Sequence, residues 1–152
     1  MIKIKFTNRL NQSGLSLVEV VASIVILSII LLSFFTMLVQ SAKTTKTSEE
    51  IIDATYIAQT EIEELYAYSA KNPFPIGNFE ANIFPNFHFI KSKNENGIEE
   101  YYYEKQESAY IILKVTPKTI ASTNLTRVLI QIYDKKNGTM KAQMENTLEW
   151  GT

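Results

Sequence analysis

The chain has 152 residues, with 15 basic and 16 acidic side chains, one histidine, no cysteine and a net charge of −1. That length holds one domain of ordinary size, and the missing cysteines exclude disulfides and thiol chemistry, so core packing alone must hold the fold. A balanced charge without a basic run argues against a nucleic-acid track.

In chain order, the first element is a short basic start, Lys3, Lys5 and Arg9, followed by an apolar stretch beginning at Leu15. From Val20 to Val39 there is no charge at all. About 20 apolar residues suffice for a helix to cross a bilayer core of roughly 30 Å. A secretory signal has an apolar run of only about 7–15 residues before a small-residue cleavage site; this run is longer, and Val39-Gln40-Ser41 after it is a poor site. A plain anchor accounts for the length but not for Glu19. A carboxylate inside such a span costs about 2.5–3.5 kcal/mol, and the next basic residue is Lys43.

The order Gly14-Leu15-Ser16-Leu17-Val18-Glu19-Val20, behind a basic leader and ahead of a long apolar helix, resembles the processing site of type IV prepilins and pseudopilins. The resemblance covers residues 9–45. It implies that a prepilin peptidase cuts after Gly14 and methylates the new N-terminus at Leu15. It also implies that Glu19, the fifth mature residue, sets axial register by meeting the Leu15 amine of a neighbouring subunit. Leu15 departs from the more usual phenylalanine. The physics agrees with these roles. The cut creates an amine that can pair with a carboxylate in a low-dielectric setting, and Gly14 offers no side chain at the cut. Lys3, Lys5 and Arg9 favour a leader held inside the cell. Their removal leaves 12 basic against 16 acidic residues, a net charge of −4.

No proline or glycine occurs from Leu15 to Asn72, and Pro73 and Pro75 follow. One helix is expected throughout, about 85 Å long at 1.5 Å per residue. Its outer half places Ile51, Ala54, Ala58, Ile62, Leu65 and Tyr66 on one face and Asp53, Thr60, Glu64 and Lys71 opposite. Phe74 to Phe89 contains five of the eight phenylalanines and reads as a loop over the core, with a short strand near Phe87–Lys91. Asn96-Gly97 marks a turn. Strands are expected at Glu100–Lys105, Tyr110–Thr116, Val128–Tyr133 and Thr139–Leu148, the last two joined by a hairpin through Lys135-Lys136-Asn137-Gly138. Alternation buries Val128, Ile130 and Ile132, and likewise Met140, Ala142 and Met144. The expected fold is α+β: a spine helix, membrane-spanning in its first half, packed on a C-terminal antiparallel sheet.

No catalytic constellation is present. His88 stands alone between Phe87 and Phe89, and without a second histidine or a cysteine there is no zinc ligand set. Asn94-Glu95-Asn96-Gly97 with Glu99 and Glu100 lacks the spacing of a calcium loop and reads as a solvated turn. Tyr101 and Tyr103 alternate to one face and Tyr102 to the other, as core or edge packing. The sequence thus points to a non-enzymatic subunit without cofactor or metal. Its parts are a leader at 1–14, a membrane or filament-core segment at 15–39 and a soluble head at 40–152. The resemblance implies other pilin-like subunits, a prepilin peptidase, an inner-membrane assembly platform and the lipid bilayer as partners, with no direct nucleic acid. It implies a single-pass prepilin in the cytoplasmic membrane, N-terminus inside, that later joins a surface filament. The order of strands, ending at Trp150, is similar to minor pilins of the I-type pseudopilin or pilus-modification class. Thr36, standing where many major pilins have proline, also favours a minor subunit. A competing reading is an anchored surface binding module, an adhesin or DNA receptor, with its groove among Phe74–Phe89 or Tyr101–Tyr103.

Overall fold

The computed structural model describes residues 16–75, 77–117 and 124–151. One helix, α1 (Leu17–Ser69), precedes five strands: β1 (His88–Glu95), β2 (Ile98–Gln106), β3 (Tyr110–Pro117), β4 (Leu125–Tyr133) and β5 (Met140–Glu149). The strands form one antiparallel meander in the order β1-β2-β3-β4-β5. The chain divides into two units, Met1–Thr44 and Thr45–Thr152. The first contains residues 17–44 of α1, and every residue of that stretch is exposed. The second contains residues 45–69 of α1, the loop that follows and the sheet.

In the second unit α1 buries Ala54, Ala58, Glu61, Ile62, Leu65 and Ser69. The expected face is therefore right at its centre and wrong at its ends. Ile51 is 44% exposed and Tyr66 54% exposed. Ile51 precedes the buried stripe by about a turn, and Tyr66 lies about 100° round from Leu65. Asp53, Thr60, Glu64 and Lys71 are exposed as expected. The opposing layer is the inner face of the sheet, where Tyr103, Leu113, Val115, Val128, Ile130 and Ile132 are almost fully buried. Period-two alternation gives this face to every second residue.

The helix closes three residues before the expected Asn72, and its last carbonyls find partners. The Asn72 side chain donates to the Tyr68 carbonyl at 2.8 Å. The Gly151 backbone N–H donates to the Ser69 carbonyl at 3.0 Å. A Cβ at Gly151 would stand 2.9 Å from the Ala70 carbonyl oxygen, so the chain's tail reaches the helix end only as glycine.

The phenylalanine-rich loop is part of the core, as its composition implies. Phe79, Phe84 and Phe87 are buried. Phe84 meets Tyr103 at 5.4 Å and Trp150 at 5.9 Å, and Phe79 meets Tyr101 at 5.2 Å. The Tyr103 hydroxyl donates to the Phe79 carbonyl, tying loop to sheet. Trp150 also packs edge-on against Tyr68 at 6.4 Å, and its indole N–H donates to the Thr126 hydroxyl at 2.9 Å.

Both expected hairpins form. Glu95 pairs with Ile98 across Asn96-Gly97, whose φ values of 56° and 80° fit the two-residue turn that follows the twist of the strands. Between β4 and β5 the Asp134 carboxylate accepts from the Lys135 and Thr139 backbone N–H groups, each at 2.8 Å. The first strand is longer than expected and begins after Phe87. In β5, Ala142 and Met144 pack against the core but Met140 is 48% exposed. A register shift between Ile132 and Tyr133 lies beside Met140, and β5 is an edge strand.

Candidate functional site at the helix N-terminus

Helix α1 starts with a reciprocal cap. The Ser16 carbonyl accepts from the Glu19 N–H at 2.9 Å and the Val20 N–H at 3.1 Å, and the Glu19 carboxylate accepts from the Ser16 N–H at 3.4 Å. Serine followed three residues later by glutamate is a capping-box pattern, here with the glutamate half made. A carboxylate in the first turn is also favoured by the helix dipole. The pattern was legible as Ser16-Leu17-Val18-Glu19 ahead of an apolar run, and the sequence reading passed over it. Glu19 thus has a local backbone partner as well as whatever meets it from outside. Gly14 and Leu15, the expected cleavage and methylation residues, lie outside the described residues.

Beyond the cap, large apolar side chains cover the helix on all sides, from 41% exposed at Val20 to 81% at Leu17. Four hydroxyls interrupt them. Ser23, Ser28, Ser33 and Thr36 donate to the carbonyls of Glu19, Ile24, Ile29 and Leu32, at 2.7 to 2.9 Å. Each hydroxyl is satisfied four residues back within the same helix, which lets it lie among apolar neighbours without an outside partner. By length and composition α1 can cross a membrane.

The other residues singled out by sequence belong to the second unit. His88 is exposed at the start of β1. Glu95, Glu99 and Glu100 flank the β1–β2 turn, and no group of metal-ligating side chains occurs among the described residues. Tyr101 and Tyr103 face the core while Tyr102 faces outward, its ring under the ammonium groups of Lys91 at 5.1 Å and Lys114 at 6.0 Å. Of the aromatics named for a binding groove, Phe79, Phe84, Phe87 and Tyr103 are buried and Phe74, Phe89 and Tyr101 pack against the core, while Tyr102 lies on the outer face. Sequence reasoning also missed a buried ion pair, Glu61 with Lys105 at 2.7 Å. Its signal was a lone glutamate on the apolar helix stripe facing a lone lysine on an apolar strand face.

Residues 9–35 match the family described as the prokaryotic N-terminal methylation motif. No curated protein and no solved structure matches the chain. Residues 9–35 thus carry the signature of type IV pilin-like prepilins, and the apolar helix that begins within them is long enough to cross a membrane.

Proposed function

We propose that the protein is a minor pilin or pseudopilin, inserted in the cytoplasmic membrane with its N-terminus inside, cleaved after Gly14, methylated at Leu15 and added to a thin surface filament. The filament belongs to a type IV pilus, a competence pseudopilus or a type II secretion system. Residues 1–14 are the leader, 15–39 the membrane and filament-core segment, and 40–152 the head. Its work is assembly, not catalysis. Partners are sibling pilin-like subunits, the prepilin peptidase and the assembly platform of the membrane.

One observation carries this reading: a lone carboxylate, Glu19, in the first turn of α1, five residues beyond Gly14 and directly ahead of the uncharged apolar run from Val20 to Val39. Among the described residues the Glu19 carboxylate accepts a 3.4 Å hydrogen bond from the Ser16 backbone N–H. A new amine at Leu15 of an adjacent subunit would add the charge-assisted partner that a desolvated carboxylate needs. Burial of the all-round apolar surface among neighbouring helices supplies the cohesion.

Intact-mass and N-terminal analysis of the protein recovered from membranes and filaments tests it. The expected product begins at Leu15 and is heavier than the bare cleaved chain by one CH2 unit, a methyl group in place of an amine hydrogen. A product that retains residues 1–14 would overturn the assignment and leave an anchored exoprotein unrelated to pili.

A further inference from the structure

Asn-Gly occurs twice in the chain, at Asn96-Gly97 and Asn137-Gly138, and both asparagines turn hairpins in the left-handed region, with φ of 56° and 61°. Such a step is open to self-cyclisation, because a glycine nitrogen has no neighbouring side chain to bar its approach to the carboxamide. The two steps differ in what holds that nitrogen. The Gly138 N–H donates to the Lys135 carbonyl at 2.9 Å. The Asp134 carboxylate lies against Gly138 and fastens the same loop through the Lys135 and Thr139 N–H groups. Its negative charge also opposes loss of a proton from the Gly138 nitrogen. At the other hairpin the Gly97 N–H has no hydrogen-bond partner among the described residues, and a Cβ on Gly97 would meet nothing within 4 Å. Asn96 and Gly97 are both exposed, whereas Gly138 is half-buried.

We propose that Asn96-Gly97 is a site of spontaneous deamidation, and that the β4–β5 hairpin shields Asn137-Gly138 from the same reaction. The Gly97 nitrogen, having lost its proton to solvent, attacks the Asn96 Cγ; a C–N bond forms, and ammonia leaves with a proton from water. Water then opens the cyclic imide at either carbonyl, giving aspartate or isoaspartate, with no change of oxidation state. Either product adds a negative charge beside Glu95, Glu99 and Glu100. Isoaspartate also adds a methylene to the backbone of a two-residue turn whose geometry sets the register of its strands. Strand β1 pairs only with β2, so β1 is the strand that loosens.

Full-length protein in detergent micelles, held in mildly alkaline buffer and then digested, tests this by peptide mass and by chromatographic separation of the two products. Asn96 should convert to both, gaining the mass difference between a hydroxyl and an amino group, while Asn137 lags. In denaturant only local sequence distinguishes the sites. Relative to that control, folding should raise the ratio of the Asn96 rate to the Asn137 rate by about twofold to tenfold, the factor that one hydrogen bond of ordinary net worth imposes. Asp134→Ala should loosen the shield and return the ratio towards the denatured value. A folded ratio no larger than the denatured one overturns the inference. So does an Asn96 that stays intact while the denatured chain converts, and so does a ratio unmoved by Asp134→Ala. In the converted protein hydrogen exchange should quicken in β1 and not in β4; equal exchange before and after would overturn the loosening of β1.

Discussion

Thr126 and Trp150 share a hydrogen bond in the interior, and Thr126 has no exposed surface. Leaving one member of such a bond unpaired costs about 1–3 kcal/mol, whereas removing both can be nearly neutral. Thr126→Val should therefore lower the denaturant midpoint of the full chain in micelles. Trp150→Phe should do the same and add the loss of ring contacts with Phe74 and Phe84. The double variant should be less destabilised than the sum of the two; strict additivity would mean the bond contributes nothing. Glu19 is read out by assembly instead of by melting. Glu19→Ala removes the carboxylate half of the cap and the proposed intersubunit contact, so the protein should stay in membranes and be largely absent from sheared filaments. Normal incorporation on immunoblots would remove the register argument.

Among the elements, those with a local chemical signal were legible. Absence of proline and glycine foretold one long helix, and Asn96-Gly97 and Asn137-Gly138 foretold two hairpins. Val128, Ile130 and Ile132 foretold the buried face of β4. What failed depended on contacts distant in the chain. Ile51 and Tyr66 are exposed because the sheet decides where the buried stripe starts and how wide it is. Met140 is exposed because it lies at an edge beside a register shift. The Glu61–Lys105 pair joins residues 44 apart, so no local window contains it. At the candidate site, the Gly14–Glu19 motif was readable by resemblance, while the Ser16 cap needed only the rule for helix starts. The β4–β5 hairpin supplies its own prediction. A Cβ on Gly138 would fall 1.9 Å from the Asp134 carboxylate oxygen that accepts from Lys135 and Thr139. Gly138→Ala should cost about 0.5–3 kcal/mol and speed hydrogen exchange at Thr139, with strands β1 and β2 unaffected. Parent-like exchange at Thr139 would show that the loop reshapes freely.

At the scale of the molecule, the charges on the outer sheet face set the response to acid. Hydrogen bonds from Lys114 and Tyr102 hold Glu100 below the ordinary carboxylate value, and those from Tyr110 and Lys136 do the same for Glu104. Folded-state values below the unfolded ones mean that this stability is fully present above the ordinary value of 4.5 and lost as pH falls from there through the lower folded-state values. Glu61, raised by burial, works in the opposite sense and weakens the fold as it ionises. The melting midpoint should fall between pH 6 and pH 3 (about that window), and the combined Glu100→Gln and Glu104→Gln variant should show a shallower fall. An equal slope in both proteins would assign acid sensitivity elsewhere.

The hydroxyl-to-carbonyl bonds of Ser23, Ser28, Ser33 and Thr36 bear on how such a rod changes company. At about 100° per residue these four positions point to separate quadrants of the cylinder, and each is already content with its own backbone. Spinning the rod about its axis, or trading an acyl chain for a leucine beside it, therefore strands no donor. Along its greasy length the helix is indifferent to bearing, and any preferred heading must be imposed from its ends.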